Sequence, residues 1–132
     1  MIIKDKELEQ DVLTKLEISD LLFNFPFNTA LAGFSMLSEA ILISLKSKSG
    51  KLNMSKDVYC HIAKTRDING NSVEKAIKTA IDSIGLSSVA IKDLNFPSIV
   101  VKNALMDGKP KHFIVAMAEA VRLRLMKRDA FV

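Results

Sequence analysis

The sequence has little of what fixes structure covalently or rigidly. Cys60 is the only cysteine among 132 residues, so an intrachain disulfide is excluded and a reducing cytoplasm is the expected setting. Tryptophan is absent, and there are one tyrosine, three prolines and five glycines. The most apolar stretch, Ala40–Leu45, is far too short to span a bilayer and is flanked by Glu39 and Lys46. Met1 to Glu9 carries charges from Lys4 onward and lacks the apolar run of a signal peptide, so no membrane association is expected. Internal repeats and low-complexity segments are missing as well.

Catalytic signatures are equally scarce. There is no Gly-rich phosphate loop, no nucleophile elbow and no pair of carboxylates at one site, so neither an enzyme nor a cofactor is expected. Cys60 and His61 are neighbours, but adjacent residues on a helix point about 100° apart. No second cysteine or nearby histidine completes a metal shell, so no metal site is expected. His112 stands alone and reads as structural or exposed.

What is present is a globular composition, 48% hydrophobic and 26% charged. The length predicts one domain, residues 1–132, with a single core. Net charge is +4, unevenly spread. Residues 1–50 hold 5 basic and 7 acidic side chains, whereas residues 51–132 hold 14 basic and 8 acidic. The basic excess lies in the second part, as a phosphate-binding surface requires.

Helical periodicity dominates the chain. Residues 5–22 place Leu8, Val12, Leu16 and Leu21 near helical spacing and predict a first helix. Asn24-Phe25-Pro26-Phe27-Asn28 breaks it, because Pro26 cannot continue a helix. Residues 29–47 predict the central core helix, with Leu31, Phe34, Leu37, Ile41 and Leu45 on one side. Ala32, Met36, Ala40 and Ile43 widen that face, and Gly50 is expected to be its left-handed cap. A short helix is expected over Leu86–Leu94, with a break near Pro97. Residues 98–106 mix strand-forming Ile99-Val100-Val101 with helix-forming Ala104-Leu105-Met106. Helix is preferred because no partner strand exists. Asp107-Gly108-Lys109-Pro110 is a turn into a last helix, about 110–127, that buries Phe113, Ile114, Met117, Val121 and Leu125. The fold class is all-α, a compact bundle of about six helices.

Between these lies a helix-turn-helix pattern over about 55–85. A first helix over Asp57–Arg66, capped by Ser55, and a turn at Asp67–Gly70 lead to a second helix, Asn71–Ile84. Val73, Ala76, Ile77, Ala80, Ile81 and Ile84 form one apolar stripe on that second helix. Ile62, Ala63, Ile68, Val73 and Ala76 occupy the positions that such motifs bury, and Ala63 is small where the second helix crosses. Asp67 stands where the commonest form has glycine and Arg66 where it has an apolar residue. Gly70 is expected to supply the turn's freedom instead. An ordinary αα-hairpin satisfies the same periodicity.

Three blocks of the chain resemble a known family. They are Tyr59-Cys60-His61-Ile62-Ala63-Lys64, Ser72-Val73-Glu74-Lys75-Ala76-Ile77-Lys78-Thr79-Ala80-Ile81, and Gly108-Lys109-Pro110 with Phe113-Ile114-Val115-Ala116-Met117 through Arg122-Leu123-Arg124. Over about Val12 to Leu125 the sequence is similar to the C-terminal effector domain of the sporulation master response regulator (stage-zero sporulation protein A). The resemblance implies a bacterial, sporulation-linked transcription regulator. It also implies a helix-turn-helix whose second helix, here about 71–84, enters the major groove of double-stranded DNA. Family members bind short boxes, often as tandem dimers, which implies a homodimer on DNA. Their recognition helix carries a run of the form Arg-Val-Glu-Arg-Ala-Ile-Arg. Glu74 matches its glutamate, Lys75 and Lys78 fall on two of its arginines, and Ser72 falls on the third. Lysine is a point charge without the planar fork that reads guanine bidentately. The family's receiver domain is not expected within these residues.

The candidate DNA-binding residues are therefore Asn71, Ser72, Glu74, Lys75, Lys78 and Thr79 on the second helix. Ser55, Lys56, Lys64 and Arg66, on or beside the first, are candidates for phosphate contact. Arg122, Arg124, Lys127 and Arg128 suit the dipole of the last helix as well as they suit DNA. A different class of function also fits: a protein-interaction module that kept the fold, lost DNA reading, and modulates a full-length response regulator.

Overall fold

A computed structural model describes residues 2–22, 32–47, 53–83 and 99–130 of the chain. Among these residues the structure is all-α, with no strand. Helix α1 spans Ile2–Leu22, and α2 spans Ala32–Lys46. A π-helical turn, Met54–Tyr59, runs directly into α3, Cys60–Arg66. Then follow α4, Gly70–Asp82, α5, Ile99–Asp107, and α6, Pro110–Ala130. Counting the π-helical turn with α3, these make six helices. The expected break at 24–28, Leu31, the cap at Gly50, Ile84, the helix at 86–94 and the break at Pro97 lie outside the described residues.

Helix α2 is the centre of the bundle and packs against α1, α3, α4 and α6. Gly33, Met36, Leu37, Ala40, Ile41 and Ser44 are its buried face, and Phe34, Ile43 and Leu45 pack against the core from its flanks. Ala32, expected on that face, is exposed. Of the residues 98–106 that are ambiguous by composition, those from Ile99 onward fall into α5, and Leu105 is fully buried. In α6, Phe113, Ile114, Met117 and Val121 are completely buried, as their spacing predicts, and Leu125 packs against them. Each such side chain contributes about 1.5–3 kcal/mol by leaving water.

Helix α1 turns inward a face that matches its expected one only in part: Leu21 is buried as its spacing predicts, and the side chain of Leu8 lies outside the described residues. Val12 and Leu16 are 53% and 55% exposed, while Thr14, Glu17, Ile18, Leu21 and Leu22 are buried. The buried stripe also has helical spacing, but two of its members are polar. Glu17 is accommodated by α6, whose Arg124 Nη1 lies 3.8 Å from its carboxylate. At the surface Lys46 Nζ pairs with Asp11 at 2.9 Å, tying α2 to α1.

The start of the two-helix unit is set by Asn53, not Ser55. Asn53 is extended (φ −93°, ψ 111°) and its Oδ1 accepts the Lys56 N–H at 3.0 Å. The Asn53 N–H in turn donates to Asp57 Oδ2 at 2.8 Å. This reciprocal pair satisfies two donors at the helix start. Ser55 therefore falls inside the first turn with its side chain exposed.

Candidate nucleic-acid interface

The turn between α3 and α4 is shorter than its sequence suggests. Asp67 itself adopts the left-handed conformation, φ 55° and ψ 46°, and the Ile68 N–H donates to the Ala63 carbonyl at 3.1 Å. Aspartate is among the few residues besides glycine that tolerate this region. Gly70 is thereby released from the turn and becomes the first residue of α4. Asn69 caps that helix, its Oδ1 accepting the Ser72 N–H at 2.8 Å. Ile68, expected to be buried in the turn, is 40% exposed, because the left-handed step at Asp67 leaves it outside the core.

The orientation of α4 follows from its buried side. Val73, Ile77, Ala80 and Ile81 are buried and Ala76 is half-buried, which matches the described part of the stripe. That side rests on α2 at very close range. A Cβ placed on Gly33 would overlap the Ala76 carbonyl and lie 3.2 Å from Ala80 Cβ. The close approach thus depends on a glycine outside the two-helix unit. Ile62 and Ala63 of α3 are buried beside it.

With the back of α4 held in this way, its front is open. Asn71, Ser72, Glu74, Lys75, Lys78 and Thr79 are all exposed. Among the described residues neither Lys75 nor Lys78 forms an ion pair, so both ammonium groups are available to an anion. Thr79 is less available, because its hydroxyl donates to the Lys75 carbonyl at 2.9 Å. Lys56 and Lys64 are exposed on the π-helical turn and α3. Ser55, Asn71 and Glu74 are brought together, with Tyr59 and Asn69, along one small groove of about 210 Å³.

Arg66 is placed differently from the other candidates. Its Nη2 donates to Ser35 Oγ at 2.6 Å and to Glu39 Oε1 at 2.8 Å, both on α2. Its Nε is buried without a hydrogen-bond partner. The basic residue that stands where the motif usually has an apolar one is thus folded back along the bundle.

Several positions along this surface are not conspicuous in the sequence. Tyr59 is only 4% exposed, and burial, followed by the Glu74 carboxylate, pushes its phenol up to about 12. A larger groove of about 580 Å³ lies beside it, with Asn53, Ser55, Glu74, Lys109 and Lys111 on its walls. Asn53 and Asn69 are readable as caps from their side-chain type and spacing, and Gly33 from a lone glycine within an apolar helix. Lys109 belongs to a block that carries the resemblance, but only the tertiary fold shows that it and Lys111 reach this end of the molecule. Among the described residues no group of three or more His, Cys, Asp or Glu side chains could hold a metal ion. None of the described helices is long and apolar enough to cross a membrane.

The family described as "Sporulation initiation factor Spo0A C terminal" matches residues 18–120. No curated protein and no solved structure matches the chain.

Proposed function

Because this chain belongs to the family of sporulation initiation factor Spo0A C-terminal domains, we propose that it is a sequence-specific, DNA-binding transcription regulator. The family is one of sporulation-regulator effector domains that generally bind DNA. In our reading the 132 residues act as one domain in the bacterial cytoplasm. Helix α4 enters the major groove of double-stranded DNA, and Lys75 and Lys78 supply its cationic contacts. Asn71, Ser72 and Glu74 face base edges, while Lys56, Lys64 and Ser55 meet flanking phosphates. The same reading admits two protein partners, a second copy on the DNA and a full-length response regulator.

One observation carries this proposal. The two lysines of α4 are exposed, unpaired among the described residues, and three positions apart on the side opposite the buried stripe. Phosphate neutralisation would supply most of the affinity and make it salt-dependent. The test is a titration with a duplex carrying the family's box, beside a scrambled duplex, at two salt concentrations. A clear preference for the box is expected. Lys75→Ala should lower that preference by roughly tenfold, the order of one base contact at about 1–3 kcal/mol. Undiminished affinity and preference in the variant would remove Lys75 from the site. Failure of the unmodified protein to bind either duplex would favour the interaction module instead.

A further inference from the structure

We propose that the larger groove, between the π-helical turn and the start of α6, seats the sugar-phosphate backbone of the bound DNA, with Lys109 and Lys111 as its cationic wall. This rests on the DNA-binding reading above and extends the contact surface beyond the two-helix unit.

The first support is continuity. Ser55, Tyr59 and Glu74 line both this groove and the smaller one along the start of α4. A duplex positioned by the front of α4 would therefore pass directly along the larger groove. The second is charge. The groove carries two ammonium groups against the single carboxylate of Glu74, and both lysines are exposed. Among the described residues neither is committed to an acid. Asp107, the acid nearest to them in sequence, is instead engaged by His112, whose Nδ1 lies 2.6 Å from its Oδ2. The third is the supply of neutral donors. Asn53 has committed its carboxamide oxygen and backbone N–H to Lys56 and Asp57, which leaves its NH2 as a donor beside the Ser55 hydroxyl. Lysines with amide and hydroxyl donors suit phosphodiester oxygens, which accept from any of them and need no planar fork.

The positions of the two lysines are themselves fixed. Gly108 turns with φ +77°, in a region that strains other residues, and Pro110 begins α6 immediately afterwards. Lys109 and Lys111 therefore flank the first residue of a long helix anchored by Phe113 and Ile114.

The experiment compares the full chain with Lys109→Ala/Lys111→Ala and Lys109→Arg/Lys111→Arg, titrating the box and scrambled duplexes across a range of salt. The slope of log affinity against log salt should flatten by about 2 in the alanine variant, about 1 for each phosphate no longer neutralised. Its affinity for the two duplexes should fall by the same factor, so the preference between them is kept. The arginine variant should retain the original slope. Lys75→Ala should behave oppositely, losing preference first. An unchanged slope in a normally melting alanine variant would overturn the groove while leaving the DNA-binding reading intact. A weakened preference with an unchanged slope would also overturn it, by making these lysines base contacts. No binding of the unmodified protein to either duplex would overturn both readings together.

Discussion

Arg66 shows how far a residue's role depends on where its side chain is aimed. As a cation at the end of α3 it resembles a phosphate contact, yet its guanidinium bridges Ser35 and Glu39 on α2. Its side chain is 29% exposed and that of Glu39 is 42%, so solvent screening keeps the pair modest. We expect Arg66→Ala to lower stability by about 1 kcal/mol, read as a shift of the denaturation midpoint. The salt slope of the proposed DNA binding should stay where it was. A slope flattened by about 1 would instead make Arg66 a phosphate contact. Asp67 makes a parallel point about backbone. The sequence points to Gly70 as the source of conformational freedom, but aspartate takes the left-handed step and the glycine is spent starting a helix.

At the scale of elements, the approach of α2 to α4 decides how the lysines are presented. Replacing glycine by alanine inside a helix ordinarily gains up to about 1 kcal/mol in propensity. At position 33 the new methyl would overlap the Ala76 carbonyl, and a backbone atom cannot rotate away as a side chain can. Overpacking typically costs about 1–3 kcal/mol, so the balance falls on the destabilising side. Gly33→Ala should lower the thermal midpoint and weaken the proposed box preference together, since α4 must shift to admit the methyl. A stabilised variant with full preference would show that the crossing has slack. The helices themselves are largely legible in the sequence, because α2, α4 and α6 carry strong apolar stripes. The inward face of α1 is not, because Thr14 and Glu17 occupy it while Val12 and Leu16 look outward. Periodicity counts apolar residues, and it cannot see that Arg124 of α6 stands near Glu17. The front of α4 is legible for the same reason its back is. The groove at the start of α6 is not, since its walls come from segments far apart in the chain.

For the molecule as a whole, the buried phenol of Tyr59 links stability to alkaline pH. Its ordinary value is 10.0, and in the folded protein it is pushed up to about 12 by burial and then by Glu74. Below about pH 10 both folded and unfolded chains hold the neutral phenol, and the contribution is fully present. Between those values the unfolded chain ionises first, so stability should fall by an amount on the order of 2 kcal/mol as pH rises. Tyr59→Phe should flatten that fall when urea midpoints are compared across the alkaline range, and an equally steep fall would assign it to other groups. The position of this ring has an optical consequence. With no tryptophan and one tyrosine in the chain, ultraviolet emission comes almost entirely from Tyr59, on the wall shared by the two grooves. The protein thus carries an intrinsic fluorophore at the place where a ligand is proposed to lie, and occupancy can be followed by quenching without attaching a dye.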